Sequence, residues 1–143
     1  MVDSQAYLST LRSLVEEGHE VSMMITGSSM SPFLVHGRDA VYFGKPHRPL
    51  RRGDIVCYRR SDGSFVVHRI YKVTSQGYYL IGDAQTVIEG PLPETRIFAL
   101  VKKVRRKGQW LEPGCFWWEF FAHTWLLLIP LRRFILRMAQ QIL

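Results

Sequence analysis

The spacing of hydrophobic positions changes along the chain, and this change predicts the order of the structural elements. Near the N-terminus, apolar residues recur every three or four positions, which is typical of an amphipathic helix, over residues 3–18 with Gly18 at its end. From Val21 onward, short apolar or alternating runs replace this pattern and indicate β-strands. The predicted strands are Val21–Thr26, Asp39–Phe43, Asp54–Arg59, Phe65–Thr74, Tyr78–Ile81 and Ile97–Arg105.

Turn residues separate these runs. Ser61-Asp62-Gly63-Ser64 is a hairpin signal, and Ser75-Gln76-Gly77 marks a second turn. Many short strands joined by tight turns predict a mainly β domain whose sheet coils into a barrel-like shape. We expect this domain to cover residues 1–114, with its β core over 21–106.

The segment 115–143 differs in kind and is predicted to form an amphipathic helical tail. Its uncharged stretch, Phe120–Leu131, is shorter than the roughly 20 apolar residues of a spanning helix, and Pro130 should break or kink it. Tryptophans beside clustered arginines are typical of a helix that lies on a membrane surface. Alternatives are a helix that covers the sheet or a partner, and a short span with snorkelling arginines. The predicted lipid contacts are Trp117, Trp118, Trp125, Arg132, Arg133 and Arg137.

Composition narrows the class of protein. With 143 residues, 47% hydrophobic and 22% charged, the chain fits one globular domain and not a disordered segment. The net charge of +7 suits nucleic acid or an anionic membrane, and the basic residues within the apolar tail favour lipid. Two cysteines, Cys57 and Cys115, suggest neither a disulfide framework nor a zinc site, so no metal or cofactor is expected.

The turn Gly27-Ser28-Ser29-Met30-Ser31-Pro32 contains the first candidate for chemistry. A serine on a turn after a strand can hold its hydroxyl away from the sheet, beside backbone N–H groups that could form an oxyanion hole. Serine is also common in turns that it only stabilises. Ser29 therefore needs a base before a catalytic role is indicated.

His68 is the candidate base because it lies inside a predicted strand, where Val66, His68 and Ile70 share one face. A histidine on such a face can equally be a hydrogen-bonded core residue. A third group would have to orient the imidazole for catalysis. Asp83 ends the next predicted strand, and the hairpin at Ser75–Gly77 could bring it near His68.

Four blocks in order carry a resemblance to a known family. The Ser29 turn resembles the Ser-Met-x-Pro box of the type I signal peptidases, a box shared with the autoproteolytic SOS-repressor domains. Three further blocks, over about residues 22–105 in all, resemble that family: Gly53-Asp54-Ile55-Val56, Val67-His68-Arg69-Ile70 and Gly82-Asp83-Ala84-Gln85. Histidine in place of the usual lysine base resembles the endoplasmic-reticulum, archaeal and sporulation-type branch.

The resemblance implies a signal-peptidase type of coiled, barrel-like sheet and assigns roles by position. Ser29 would be the nucleophile, His68 the general base and Asp83 the third catalytic residue. Ser28, with the backbone N–H groups of Ser29 and Met30, would hold the oxyanion, and Met30 and Pro32 would contact the substrate. Relatives often have another aspartate after the last block, where this chain has only Glu89.

The sequence therefore predicts a serine endopeptidase that cleaves signal or leader peptides through a Ser/His/Asp site at a membrane surface. The chain begins Met-Val-Asp-Ser, without the basic and apolar start of a secretory signal or the family's N-terminal anchor. We accordingly expect a cytoplasmic, membrane-associated enzyme. The competing interpretation is a non-catalytic peptidase-like module that binds peptides or membrane. A self-cleaving repressor-like domain is disfavoured because no lysine occupies the base position.

Overall fold

The computed structural model describes residues 4–142 and is mainly β, with a short helix at its N-terminal end and helical segments at its C-terminal end. The first helix and the eight strands are α1 (Ser4–Glu16), β1 (Val21–Met24), β2 (Ala40–Gly44), β3 (Ile55–Arg59), β4 (Phe65–Thr74), β5 (Gly77–Ile81), β6 (Glu89–Leu92), β7 (Ile97–Arg106) and β8 (Gln109–Leu111).

The strands form one antiparallel sheet in the order β1-β2-β7-β3-β4-β5-β6, with β8 paired to the end of β7. Among the described strands, β1 and β6 are edges that no ladder joins, so the sheet is open. β4 pairs with β3 over its first half but with β5 only from Arg69 onward. Over Val66–His68, β4 therefore has no described strand on the side opposite β3.

Most predicted elements are confirmed within one or two residues, and β4 has the predicted bounds. The predicted helix start at Asp3 lies outside the described residues. Two strands were not predicted. β6 contains Gly90 and Pro91, which normally indicate a loop, and β8 has only 3 residues, too few to show an alternating pattern.

Apolar side chains pack on both faces of the sheet. In the larger cluster, α1 packs through Leu8, Leu11 and Val15 on the side of the sheet that β1, β2 and β7 form. Trp118 and Trp125 of the tail belong to the same cluster. A smaller cluster around Val56 and Leu80 covers the other face. The tail is thus part of the main core, as expected for amphipathic segments with an apolar face to bury.

The tail is not one helix but a chain of short helical turns. Helices α2 (Phe116–Glu119) and α3 (Trp125–Leu127) are joined by a π-helical turn, and a 3₁₀ turn over Ile129–Leu131 precedes α4 (Arg132–Ile142). The predicted break at Pro130 is confirmed. In the described part of the chain, no helix has the length and apolar character needed to cross a bilayer.

Candidate active site

Ser29 lies on the turn that follows β1, and hydrogen bonds on both sides fix this turn. The backbone N–H of Gly27 donates to Nδ1 of His36 over 2.9 Å, and the backbone N–H of Ser31 donates to the carbonyl of Ser28 over 3.1 Å. Gly27 has a φ of 82°, in the left-handed region that glycine adopts without strain. The chain can therefore leave the strand abruptly, with Ser29 half-buried at its end.

The turn after β5 packs directly against the Ser29 turn. The backbone N–H of Ala84 donates to the carbonyl of Ser29 over 2.9 Å. A Cβ atom on Gly82 would lie 2.5 Å from that same carbonyl oxygen, so the close approach requires glycine at this position. The Gly82-Asp83-Ala84-Gln85 block, which the sequence linked to catalysis, thus holds the nucleophile candidate in place.

Ser29 and His68 line one pocket of about 280 Å³. On one side the pocket is lined by Met23 of β1 and by Ile25, which follows that strand. On the other side it is lined by Val66 and Val67, at the open edge of β4. Gln85, in the turn after β5, also lines it. In the described residues neither Ser29 Oγ nor His68 Nε2 has a hydrogen-bond partner. The structure therefore brings the predicted nucleophile and base to one pocket, with both reactive atoms unengaged.

The buried imidazole of His68 is held by Tyr58 from the neighbouring strand. The register between β3 and β4 pairs Val56 with His68 and Tyr58 with Val66, so the Tyr58 and His68 side chains lie diagonally on one face. The Tyr58 hydroxyl is 3.1 Å from His68 Nδ1 and donates its hydrogen to Glu89 Oε2 over 2.5 Å. Glu89 in turn accepts a hydrogen bond from Arg60 Nε over 3.0 Å.

This chain of contacts determines which nitrogen of His68 carries the proton. A phenol has one hydrogen, and here it is directed to the Glu89 carboxylate. Nδ1 must then donate to the Tyr58 oxygen, which leaves Nε2 without a proton and able to accept one. That is the tautomer a general base requires.

Local electrostatics favour these protonation states of His68, Tyr58 and Glu89. Burial, and secondarily the positive charge of Arg60, lower the pKa of His68 to about 4, so the imidazole is neutral at neutral pH. Burial also raises the pKa of Tyr58, which keeps the phenol protonated. Burial opposes the ionisation of Glu89, but hydrogen bonds from Tyr58 and Arg60 outweigh it and lower its pKa.

Asp83, expected to be the third catalytic residue, lies with Arg69 and not with His68. Its two carboxylate oxygens accept from Arg69 Nε and Nη2, each over 2.9 Å, and both side chains are fully buried. The register explains the difference, because Arg69 pairs with Ile81 and Asp83 is two residues further on the same face. His68 projects from the opposite face of β4.

The remaining predicted site residues surround Ser29 but differ in exposure. Ser28 is exposed, Pro32 is half-buried after a cis peptide bond, and the Met30 side chain is buried in the main core. In the described part of the chain the backbone N–H groups of Ser29 and Met30 have no acceptor. No group in the described residues therefore occupies these two N–H donors, which the sequence assigned to the oxyanion hole.

Sequence reasoning missed Tyr58 and Arg60 and gave Glu89 no role. A signal existed in the hairpin at Ser61–Ser64. Counting back from it along β3 and β4 places Tyr58 near His68. Nothing comparable indicated Glu89, because the sequence predicts no strand over Glu89–Leu92.

Within residues 4–142 no group of three or more histidine, cysteine or carboxylate side chains is arranged to hold a metal ion. Searches with this chain find no matching family model, no curated relative and no solved structure of similar fold.

Proposed function

We propose that the protein is a serine endopeptidase of the histidine-type signal-peptidase kind, with the coiled sheet of that family, which cleaves signal or leader peptides. One observation carries the proposal. Ser29 shares a pocket with a neutral His68 whose Nδ1 is engaged and whose Nε2 is not. A buried core histidine would be expected to use both ring nitrogens in hydrogen bonds.

The substrate binds as an extended strand between two open edges. The pocket lies between β1, an edge strand, and the unpaired side of β4 over Val66–His68. A peptide laid between them can form backbone hydrogen bonds with either edge, as in β-strand addition. Its scissile carbonyl would then meet Ser29, and the limited volume of the pocket favours small side chains beside the cleaved bond.

The proposed reaction proceeds by acyl transfer. His68 Nε2 takes the proton of Ser29 Oγ as Oγ bonds to the scissile carbonyl carbon, and the backbone N–H groups of Ser29 and Met30 hold the oxyanion. Nε2–H then protonates the leaving amine as the C–N bond breaks. Water then attacks the acyl-enzyme and gives a proton to Nε2. Nε2 returns this proton to Ser29 Oγ as the acyl C–Oγ bond breaks and the new carboxylic acid leaves. Tyr58 and Glu89 keep Nδ1 protonated throughout, in the orienting role expected of Asp83.

The test is active-serine labelling and cleavage of a leader peptide by four single variants. Ser29→Ala should abolish labelling by a fluorophosphonate probe, and Ser29→Ala or His68→Ala should reduce cleavage to background. Ser75→Ala and His47→Ala change an exposed serine and an exposed histidine outside the pocket, and should behave as wild type. Cleavage that persists in Ser29→Ala would falsify the proposal. Peptide binding without labelling or cleavage by the wild type would instead support the non-catalytic module.

We also propose that the enzyme works at a membrane surface. Six tail residues were expected to contact lipid. Three of them are buried in the protein and cannot do so: Trp118, Trp125 and Arg132. The other three are exposed: Trp117, Arg133 and Arg137. An apolar stripe supplies further contacts. It consists of four exposed side chains: Leu127 of α3, Leu131 of the 3₁₀ turn, and Phe134 and Met138 of α4.

A further inference from the structure

A second, larger groove opens beside the pocket that contains Ser29 and His68. We call it the basic groove, and it measures about 930 Å³. One wall is the loop from Ala84 to Gly90, and the other is the flank of α4. Its charged lining residues are Arg60, Glu89, Arg133 and Arg137.

Hydrogen bonds from a buried arginine connect the two walls of the basic groove. Arg132 Nη1 donates to the carbonyls of Gly82 and Gln85, over 3.0 and 2.8 Å. Trp125 Nε1 adds a hydrogen bond of 2.7 Å to the carbonyl of Asp83. The groove is therefore a fixed feature of the fold, because buried hydrogen bonds to a charged group are among the stronger ones.

The groove has an excess of positive charge that the protein does not neutralise. Arg60 is paired with Glu89 at 3.0 Å. Arg133 and Arg137 are one helical turn apart on α4, and in residues 4–142 neither forms an ion pair. Two adjacent guanidinium groups facing one groove are suited to carboxylates, which they can bind with two hydrogen bonds each.

The basic groove continues into the catalytic pocket. Arg60 and Gln85 line both of them, so they form the boundary between the two. An extended peptide advances about 3.3 Å per residue, and a chain leaving the pocket past Gln85 would enter the groove within a few residues. The rest of the loop wall, including Val87 and Ile88, is uncharged apart from Glu89.

We propose that the basic groove binds an acidic segment of the peptide substrate, close in sequence to the cleaved bond, through Arg133 and Arg137. This inference rests on the proposed function and specifies its substrate class as peptides with aspartate or glutamate near the cleavage site. Lipid headgroups are the other anionic partner, and the position of the arginines on the wall of a groove joined to the catalytic pocket favours peptide over lipid.

Binding to the Ser29→Ala protein tests the proposal without requiring catalysis. The probe is a fluorescein-labelled peptide with a small-residue site between two pairs of glutamates, and its partner has glutamines instead. Fluorescence anisotropy should show tighter binding of the glutamate peptide. Arg133→Gln with Arg137→Gln should weaken it roughly three- to tenfold, as expected for two exposed ion pairs, and leave the glutamine peptide unchanged.

The matched control is Arg51→Gln with Arg52→Gln, which removes the same charge from exposed residues outside both cavities. It should leave the preference for glutamate intact. Equal affinity for the two peptides, no detectable binding, or an equal loss in both double variants would overturn the proposal. So would a loss of flotation with phosphatidylglycerol vesicles while peptide binding is unchanged. If the wild type fails to cleave but the groove variants lose acidic-peptide binding, the proposed enzyme is wrong and the groove assignment stands.

Discussion

At the scale of single residues, the arrangement around His68 differs from a serine–histidine–aspartate triad in one respect. A neutral phenol stands between the imidazole and the carboxylate, because Tyr58 accepts from Nδ1 and donates to Glu89. A carboxylate in direct contact would raise the pKa of the histidine, whereas here burial keeps it low. The tautomer is fixed by hydrogen bonding, with little electrostatic stabilisation of the imidazolium.

Removing the Tyr58 hydroxyl should therefore slow the reaction more than it weakens substrate binding. Tyr58→Phe keeps the ring in its buried position but leaves the Nδ1–H of His68 without an acceptor, which should lower the free energy of unfolding by about 1–3 kcal/mol. The His68 proton is then no longer held on Nδ1 and can move to Nε2. We expect kcat to fall roughly ten- to a hundredfold with KM nearly constant. Steady-state kinetics on a leader peptide measures both constants. Tyr42→Phe, which removes a tyrosine–glutamate contact away from the pocket, should change neither.

The pKa of His68 makes a second prediction at this scale. Because burial lowers it to about 4, kcat/KM should stay high through mildly acidic pH and fall only as the pH approaches about 4. The folded state then binds fewer protons than the unfolded chain, so stability should decline as the pH falls from about 6.5 towards 4. A pH–rate profile and urea unfolding at each pH measure the two effects. A rate inflection near 6.5 would mean that the imidazole is solvated.

At the scale of elements, the sequence was informative where the pattern was local. β3 and β4 are rich in apolar and β-branched residues and flank a strong turn signal, so their position and pairing could be predicted. Ser29 and His68 could be paired because each lies in a recognisable block. The partner of Asp83 depended on the register of β4 with β5, where an irregularity between Ile70 and Lys72 shifts the pairing. A face cannot be assigned across such an irregularity from spacing alone.

The contact between the turn after β5 and the Ser29 turn leads to a prediction about glycine. Gly82→Ala would place a methyl group against the Ser29 carbonyl oxygen, a backbone atom that cannot move without displacing Ser29. We expect a loss of roughly 1–3 kcal/mol in stability together with most of the activity. Gly44→Ala is the matched control, because its new methyl would meet the flexible side chains of Glu20 and Lys102. Thermal denaturation and peptide cleavage compare the two; equal effects would contradict the positioning role.

At the scale of the whole molecule, the tail serves two purposes on two faces. Its inner face completes the main core and ties the tail to the turn after β5 through Trp125 and Arg132. Its outer face presents the apolar stripe to solvent, with Phe134 64% exposed. Four large exposed apolar side chains within one short segment are suited to an interaction surface. The turn after β5, which contacts the Ser29 turn, is thus linked to the segment proposed to rest on the membrane.

This architecture predicts that membrane binding depends on the apolar stripe and can be separated from catalysis. Leu131→Gln with Phe134→Gln should reduce flotation with vesicles of phosphatidylglycerol and phosphatidylcholine, because burial of each side chain contributes about 1.5–3 kcal/mol. Val73→Gln with Trp110→Gln removes two exposed apolar side chains elsewhere on the surface and should not reduce it. Cleavage of a short soluble peptide should be the same in both variants, since neither pair lines the catalytic pocket. If flotation is unchanged by loss of Leu131 and Phe134, the stripe is not the membrane contact.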